Sequence, residues 1–526
     1  MEITERELPE VEISEPASVT GSATQTASTT FAVYNPASGE KLIDLPVMSA
    51  EDVAAAVARA RIAQSRWATI SLKERAVAMY RWRDNLIKNK NKIVESLVKE
   101  NGKPRQEVLM ELLYIIDIIG YYTSNAPKFL KDQKVPLHLM KTKRALVTYH
   151  PFGVVGVIAP WNFPLILSFG DAIAALVAGN AVVIKPSEIT PMTPLLVTEL
   201  AQSAGFPEGL IQVVTGLGDT GAALIDNVDL IAFTGSTATG RKVMERASRR
   251  LIPVLLELGG KDPMIVLKDA DLERAANGAV MGGFINAGQV CISVERVYVE
   301  EPVYDRFVNL VVDKVQKLRQ GIETGTDNPP DIGPMTFPRQ LEIVERQVED
   351  ARQKGAKILT GGKRRADLPG LFFQPTVMTD ITDDMLVMQE ETFGPVLPVV
   401  RVKNAEEAIE KANRSNYGLS SSVWSGDRAR GVSVALQIEA GSTCVNDVFV
   451  NYSLPEIPFG GIKESGIGYR HGGADSLKKF CRPHSIVVDR TGLKRELYWM
   501  PYSRSVEKTL HLGLQLLGKL PFRRGK

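Results

Sequence analysis

Hydrophobic spacing divides the chain into a helical region followed by two regions in which strands and helices alternate. From Ser49 to Asn101 apolar residues recur at intervals of three and four behind acidic Glu51 and Asp52, which predicts two or three helices. Between Val154 and Leu256, short β-branched runs alternate with helical stretches, the pattern of a parallel sheet covered by helices. A second alternating region runs from Met264 to about Val448. The predicted fold class is α/β.

Individual strands and one helix start can be placed within these regions. The predicted strands are Val154–Ile158, Ala181–Ile184, Ile211–Val214, Leu230–Phe233 and Pro253–Leu256 in the first region, and Arg296–Val299, Lys357–Leu359, Val396–Val402 and Ser420–Trp424 in the second. The β-rich segments Arg144–Tyr149 and Ser485–Val488 belong to neither sheet by position and predict an outlying ribbon used for assembly. Thr190 is expected to cap a helix whose first turn holds Pro191.

Composition narrows the classes of partner and compartment. Over 526 residues, 63 Lys plus Arg oppose 61 Asp plus Glu, and a net charge of +2 argues against nucleic acid as a partner. The first thirty residues carry six Glu and a Ser/Thr-rich run, so we expect a disordered tail and neither secretion nor organelle import. Three widely spaced cysteines, Cys291, Cys444 and Cys481, can build neither a disulfide framework nor a cysteine metal site. We therefore expect a cytoplasmic protein without a metal.

Three side chains could carry chemistry at predicted turns or strand ends. Cys291, in N-A-G-Q-V-C-I-S, suits an accessible turn, where a thiolate would be a strong nucleophile. Glu257 ends an apolar strand, where burial raises the affinity of a carboxylate for its proton and favours a general base. Asn162 follows a strand in A-P-W-N-F-P and could donate a hydrogen bond to an oxyanion. An inert buried thiol, a strand-end Glu held by glycine amides and an ordinary turn Asn are the alternatives.

Two further segments follow strands of the same predicted sheet. Ligands bind at the carboxyl ends of such strands. Phe233–Gly240, F-T-G-S-T-A-T-G, opens a helix and could place a phosphate at its amino terminus, although it lacks the G-x-G-x-x-G fingerprint and a capped helix is the alternative. Lys185-Pro-Ser-Glu188 puts a cation and an acid at a strand end. An acid such as Glu188 accepts from ribose hydroxyls and repels a 2′-phosphate, which favours NAD over NADP.

In content and order, APWNFP, KPSE, FTGSTATG, ELGGKDP, GQVC and ETFGP resemble the motifs of the aldehyde dehydrogenase superfamily. The resemblance spans about residues 31 to 490. It implies that Cys291 is the nucleophile, that Asn162 and the Cys291 amide form an oxyanion hole, and that Glu257 activates the hydrolytic water. It also implies a cofactor site: Lys185 and Glu188 at the adenosine ribose, Trp161 and Gly218 along the groove, Gly235 and Ser236 at the pyrophosphate, Glu391 at the nicotinamide ribose and Phe393 beside the nicotinamide.

The resemblance also implies a domain layout. Residues 31–132 and 152–258 would form the NAD-binding domain, 259–448 the catalytic domain, and 133–151 with 474–492 an oligomerisation ribbon, between the tails 1–30 and 493–526. A homodimer or homotetramer is implied. The basic, leucine-rich tail 493–526 could contact a membrane surface peripherally, or a helix in it could dock on its own or a neighbouring subunit.

The implied reaction is oxidation of an aldehyde to a carboxylic acid with NAD, or with NADP, through a thioester on Cys291. A CoA-acylating dehydrogenase, which would not need Glu257, and a catalytically silent scaffold are the alternatives. Many family members carry an acid shortly after a Ser-Gly-x-Gly motif, whereas this chain has Tyr469-Arg470-His471 there. Glu257 is thus the only candidate base.

Two substrate classes stay open. The FINAGQVCIS-ERVYV and SGIGYRHG stretches and the basic carboxyl terminus are similar to a bacterial succinate-semialdehyde dehydrogenase branch. The expected lining of the substrate tunnel is Phe163, Val290, Ile292 and the loop Phe449–Leu454, which are apolar and suit medium or long aliphatic or aromatic aldehydes. Arg296 is expected to be structural, so no cation can be assigned to the pocket.

Overall fold

The structure is a computed structural model that describes residues 29–325, 328–496 and 498–519. The predicted amino-terminal tail therefore lies, up to residue 28, outside the described residues. The chain opens with β1 (Thr30–Tyr34), β2 (Lys41–Pro46), α1 (Ala50–Trp67), α2 (Leu72–Lys88), α3 (Lys90–Asn101) and α4 (Arg105–Phe129). Capping boxes at Ser49 and Ser71 start α1 and α2. Helix α4 went unpredicted because its middle is apolar at nearly every position, which hides helical spacing.

The first large sheet is parallel apart from one short edge strand. In the chain, β3 (Gln133–Val135) and β4 (Lys143–Pro151) come before this sheet. Its parallel strands and the helices that connect them are β5 (Val154–Ile158), α5 (Pro164–Ala178), β6 (Ala181–Lys185), α6 (Met192–Gln202), β7 (Ile211–Val213), α7 (Gly218–Asn227), β8 (Leu230–Thr234), α8 (Thr237–Ser248) and β9 (Val254–Glu257). The parallel order is β9-β8-β5-β6-β7. All five strands predicted here are confirmed to within one residue at each end.

A second sheet is formed by the next part of the chain. This part of the chain carries β10 (Asp262–Val266), α9 (Leu272–Phe284), β11 (Val294–Glu300), α10 (Tyr304–Gln316), α11 (Pro338–Gln353), β12 (Lys357–Thr360), β13 (Thr376–Thr379), α12 (Leu386–Gln389), β14 (Val396–Val402), α13 (Ala405–Asn413), β15 (Tyr417–Gly418), β16 (Ser420–Trp424), α14 (Arg428–Ala435) and β17 (Ser442–Val445). Strand β15 lies outside the second sheet. The order is β12-β13-β14-β11-β10-β16-β17. The four predicted strands are confirmed, whereas β10, β13 and β17 are short runs between glycines, prolines and polar residues that gave no clear signal.

The last segments of the described chain add strands to elements that were formed earlier in the sequence. They are β18 (Ile462–Lys463), β19 (Gly466–Ile467), α15 (Asp475–Lys478), β20 (Cys481–Asp489) and α16 (Arg504–Lys519). Strand β19 pairs antiparallel with β9, and β20 pairs along its whole length with β4 to give the ribbon β20-β4-β3. The assignment of the predicted residue ranges to separate domains stays a prediction.

One extensive core lies around each large sheet. Helix α5 is buried at almost every position in the first core, which explains its continuous apolar sequence. Among the described residues, no helix combines the length and the hydropathy needed to cross a bilayer.

Helix α6 begins differently from the prediction. Pro191 is the N-cap residue instead of the first-turn residue, and the Thr190 hydroxyl donates to the main-chain oxygen of Trp161. The first amides of α6 are satisfied by the buried Glu100 carboxylate, which accepts from Met192 N at 2.7 Å and Thr193 N at 2.8 Å. The Thr190 cap prediction is wrong because an acid distant in the sequence takes this role.

Replacing Glu100 with Ala should destabilise the protein by about 1 to 2 kcal/mol, because the amides at the start of α6 lose their acceptor. The measurement is the midpoint of thermal unfolding. Glu95→Ala, at an exposed position of the same helix α3, is the matched control and should leave the midpoint nearly unchanged. Equal losses in the two variants would show that Glu100 does not act as the cap.

Candidate active site

The carboxyl ends of parallel strands bring several predicted residues to one edge of the first sheet. Strand β5 pairs with β6 and β8, and β8 pairs with β9, all in parallel register. Lys185 therefore ends β6 and Glu257 ends β9, while the loops that carry Asn162 and Ser236 follow β5 and β8 at the same edge. This edge of an open α/β sheet is where ligands bind.

Cys291 lies after a turn whose shape depends on glycine. Asn286 and Gly288 have positive φ angles of 51° and 72°. A Cβ at Gly288 would lie 2.1 Å from the carbonyl oxygen of Gly394, and a Cβ at Gly260 would lie 2.2 Å from the carbonyl oxygen of Cys291. Only glycine fits these two close approaches. They let the loops after β9 and before β14 close against the cysteine.

A set of hydrogen bonds fixes Asn162 beside this turn. The main-chain N–H of Asn286 donates to both carboxylate oxygens of buried Glu107, at 3.1 and 3.0 Å. The Nδ2 of Asn162 donates to the main-chain oxygen of Gln289 at 3.0 Å. The main-chain oxygen of Asn162 accepts in turn from the buried Lys103 ammonium at 2.7 Å. Since an amide nitrogen has two protons, Asn162 keeps one N–H beyond its bond to Gln289.

The thiol opens into an apolar cavity of about 340 Å³. The lining residues are Met110, Phe163, Ile166, Leu167, Met281, Ile285, Val290, Cys291, Ile292, Val448, Phe449, Val450, Tyr452 and Ser453. The predicted contributions of Phe163, Val290, Ile292 and Phe449 are confirmed, and Leu454 lies outside this lining. Met110 on α4 and Met281 on α9 were not predicted. None of the described lining residues is charged.

The environment of the thiol and of the neighbouring carboxylates favours their neutral forms. Burial raises the pKa of Cys291 well above its usual range, and the charges of Glu257 and Glu391 raise it further. Burial likewise raises the pKa of Glu257 to about 7. A protonated thiol therefore lies close to a carboxyl group that can accept a proton near neutrality.

A buried cluster of charges behind Glu257 was missed in the sequence. Asp171 pairs with Arg470 at 3.0 Å and with Lys479 at 2.8 Å. Arg470 also donates to the hydroxyl of Thr234, which pairs with Glu257 in the β8–β9 register. A signal did exist, because Asp171 is the only charged residue in the otherwise apolar α5.

This cluster adds a positive charge at the place where the sequence offered no second acid. Arg470 and Lys479 outnumber Asp171, and all three side chains are buried. Burial is the largest influence on the pKa of Glu257. Among the charges, Arg470 lowers this pKa most, Asp171 raises it, and Lys479 lowers it to a smaller extent. Arg470 also lowers the pKa of Cys291. The cluster partly offsets the cost of charging the two groups.

The residues predicted for the adenosine half of a dinucleotide lie along the same edge. The Lys185 ammonium is buried 3.4 Å from the Glu188 carboxylate, which is 40% exposed. Ser236 caps α8 by accepting from Thr239 N, at the end of a helix dipole that attracts phosphate. A Cβ at Gly218, the first residue of α7, would contact nothing within 4 Å, so a ligand can approach there. These groups fit a ribose and a pyrophosphate.

The glycine before Ser236 and the groups predicted for the nicotinamide half have defined local contacts, while their function stays a prediction. A Cβ at Gly235 would lie 2.6 Å from the ring of Phe233, which fixes glycine in this turn. Glu391 accepts from Gly260 N at 3.0 Å, and burial raises its pKa to about 8. The rings of Trp161 and Phe393 pack edge to face with centroids 5.4 Å apart.

A second buried ion pair sets the position of Phe393. Lys261 contacts Glu295 at 2.6 Å, and the Glu295 carboxylate accepts from the amides of Thr392 and Phe393, both at 2.8 Å. Phe393 itself has a positive φ of 49°. Neither Glu295 nor this function of Lys261 was predicted, because Lys261 precedes β10 and Glu295 lies 34 residues later in β11, so the two share no sequence signal.

A parallel sheet whose strands end near a helix start suited to phosphate, together with a cysteine thiol that opens into an apolar cavity, is typical of nicotinamide-dependent oxidoreductases that act through cysteine. The model of the aldehyde dehydrogenase family matches residues 23–486, and the chain belongs to this family. It is therefore an NAD(P)-dependent oxidoreductase, and the predicted α/β fold, family and cofactor are confirmed.

Two relatives show how closely the chain matches curated proteins. A Mycolicibacterium smegmatis protein named as a succinate-semialdehyde dehydrogenase [NADP(+)] is 42% identical over 454 residues, covering 86% of this chain and 87% of the relative. A 4,4′-diapolycopene aldehyde oxidase from Methylomonas sp. is 40% identical over 481 residues, covering 91% of this chain and 89% of the relative. The two names denote different aldehydes.

Solved structures match over almost the whole chain. Betaine aldehyde dehydrogenase from Staphylococcus aureus in complex with NAD+ has a TM-score of 0.84 at 32% identity and covers 91% of this chain and 95% of its own. A variant of an aldehyde dehydrogenase from Bacillus cereus has a TM-score of 0.83 at 36% identity, covering 89% and 95%.

Replacing Arg470 with Met should raise the pKa of both Cys291 and Glu257, because a buried cation near them is lost. The measurement is the rate of Cys291 alkylation by iodoacetamide against pH, with Cys291→Ala as the background. Since only the thiolate reacts, the profile should move to higher pH and alkylation at mildly alkaline pH should slow several-fold.

Arg75→Met is the matched control for this experiment. Arg75 is also buried, but it donates to main-chain oxygens of Trp67 and Val177 and does not shift the pKa of Glu257. This variant should lower stability without moving the alkylation profile, and Arg470→Lys should move it less than Arg470→Met. Coincident profiles for Arg470→Met and the unmodified protein would contradict the role given to the cluster.

Proposed function

We propose that this enzyme oxidises apolar aldehydes to carboxylic acids, with Cys291 as nucleophile and Glu257 as general base. The observation that carries the substrate class is the cavity of about 340 Å³ beside Cys291, whose described lining contains no charged side chain. A substrate carboxylate buried there would lose its hydration without gaining a cationic partner, which is strongly unfavourable. Aliphatic or aromatic chains would instead gain by burying apolar surface.

The first half of the proposed reaction uses three groups of this chain. Glu257 accepts the thiol proton, and the Cys291 thiolate adds to the aldehyde carbon to give a hemithioacetal oxyanion. The free N–H of Asn162 and the Cys291 amide donate to this oxyanion, the interaction that lowers the barrier most in acyl chemistry. NAD(P), when bound, supplies the acceptor for the hydride that leaves the same carbon. The product of this half is a thioester on Cys291.

The second half is hydrolysis. Glu257 first releases the thiol proton to solvent and then accepts a proton from water as the water oxygen adds to the thioester carbon. The carbon–sulfur bond breaks as the carboxylic acid forms, and the Cys291 sulfur recovers a proton from Glu257. A pKa of about 7 suits this exchange, because the group can take up and release a proton near neutrality. We assign the cofactor contacts to Lys185, Glu188, Trp161, Gly218, Gly235, Ser236, Glu391 and Phe393.

Succinic semialdehyde is the second candidate substrate, favoured by the name of the relative that is 42% identical. It would need a cation in the pocket. Arg296, the nearest candidate in the sequence, is buried and donates to the main-chain oxygens of Lys261, Lys411 and Ala412. Its guanidinium is thus occupied in supporting the second sheet.

For assembly and location, we propose a cytoplasmic homodimer or homotetramer formed through the ribbon. Strand β20 is an edge strand of this ribbon, and its Val487 and Val488 are 65% and 48% exposed. A free strand edge with exposed apolar side chains is a surface on which another subunit can add.

Cys291→Ala should abolish NADH formation, whereas Cys444→Ala, which removes a different buried thiol, should retain it. Glu257→Gln should slow the burst of NADH, because the thiol loses its proton acceptor, and its steady-state rate should fall by about 10² to 10⁴ because hydrolysis loses its base as well. Stopped-flow fluorescence separates the two phases. Added CoA that restores Glu257→Gln to full turnover would support the acylating alternative, and no NADH from any aldehyde would support a silent scaffold.

The substrate class is tested by comparing kcat/KM for hexanal, a long-chain aldehyde and benzaldehyde with that for succinic semialdehyde, each with NAD and NADP. We expect a preference of about 10²-fold or more for the apolar compounds. Phe449→Arg, which adds a cation to the cavity lining, should raise relative activity on succinic semialdehyde, whereas Leu436→Arg, at an 82% exposed position outside this lining, should not. A preference of the unmodified enzyme for succinic semialdehyde would refute the apolar assignment.

A further inference from the structure

Helix α16 carries an apolar face that is largely open to solvent. Val506, Leu510, Leu514 and Leu517 follow the spacing of one helical face. Val506 is 5% exposed, whereas Leu510, Leu514 and Leu517 are 53%, 66% and 44% exposed. Val506 is thus buried near the start of the helix, and the rest of this face has no cover in the part of the chain that is described.

The opposite face of α16 is polar and basic. Arg504, Lys508, His511 and Gln515 follow the same spacing on that side, and all four are exposed. Glu507 is the one acid of the helix. In the sequence, residues 519–526 add four basic residues and no acidic one. The charge of this end of the chain suits an anionic partner.

Aromatic side chains precede the helix. Tyr498, Trp499 and Tyr502 are 44%, 50% and 70% exposed, and Met500 among them is 74% exposed. Large aromatic residues seldom stay in water without a function, and Trp and Tyr are the side chains that collect at the boundary between lipid and water.

We propose that residues 498–519 form a docking surface for an anionic lipid bilayer. The leucine face would enter the boundary between headgroups and acyl chains, while Arg504 and Lys508 would reach the lipid phosphates. A second copy of the chain could also cover the leucines, but it would leave the basic face and the aromatic segment without a function. The apolar face, the basic face and the aromatic segment together match one occupant. The inference does not depend on the proposed reaction.

The test is co-sedimentation of the full-length protein with vesicles of equal parts phosphatidylcholine and phosphatidylglycerol, beside vesicles of phosphatidylcholine alone. We expect binding to the anionic vesicles, weaker binding to the neutral ones, and a loss of binding with added salt. The variant Leu510→Ser/Leu514→Ser/Leu517→Ser should bind at least about ten-fold more weakly, because it removes buried apolar area. Leu436→Ser changes a leucine that is 82% exposed outside α16 and should bind as the unmodified protein does.

A variant that removes one positive charge tests the electrostatic contribution to vesicle binding separately. Neutralising Lys508 with Gln should weaken binding to the anionic vesicles by about five-fold and leave binding to the neutral ones unchanged. Because the three leucines are exposed, the triple variant should keep the thermal midpoint and the aldehyde activity of the unmodified protein.

Two results would overturn the proposal. The first is an unmodified protein that does not bind anionic vesicles, and the second is a triple variant that binds as tightly as the unmodified protein. A triple variant with a smaller mass in sedimentation, together with no vesicle binding by the unmodified protein, would assign the face to a second copy of the chain.

Discussion

The proposed chemistry depends on a thiol and a carboxyl group that are both withdrawn from water and interact electrostatically with each other. Water is the medium that stabilises both anions, and its removal raises the pKa of Cys291 and brings that of Glu257 to about 7. A negative charge on either group also raises the free energy needed to ionise the other group. The pair can therefore hold one anion more easily than two, and a proton passed between them changes which group carries the charge. Both proposed steps are transfers of this kind.

Charged residues near Glu257 limit how far burial can raise its pKa. Without Arg470 and Lys479, the pKa of Glu257 would be higher, and a smaller fraction of the carboxyl group would be ionised at neutral pH. Arg470 and Lys479 supply positive charge, and Asp171 keeps that charge stable in the core through two ion pairs. A buried ion pair destabilises the fold when one of its partners is missing, because the remaining charge is then buried without compensation. A net positive cluster thus favours the anionic state of Glu257 without touching the substrate cavity.

Much of the fold could be predicted from the sequence because it is encoded locally. The five parallel strands around Val154–Ile158 are β-branched runs that end in turn residues, so their limits are visible without knowledge of their partners. The motifs that identify Cys291 and Glu257 are also local. By contrast, Asp171 and Lys479 are 308 residues apart, and Glu100 caps α6 from another helix. Neighbouring residues do not specify such contacts, which is why the cluster was missed and the Thr190 cap was wrong.

The apolar lining of the cavity and the raised pKa of Glu257 have a common physical origin. An environment that raises the pKa of Glu257 by desolvation also excludes charged substrate groups, because both effects come from the absence of water and of unpaired cations. A cation in the lining, placed to bind a substrate carboxylate, would lower the pKa of the Cys291 thiol and of Glu257 as well. Substrate charge and proton transfer are therefore coupled. In this chain the cation stands behind Glu257, on Arg470, and the described lining of the cavity is left uncharged.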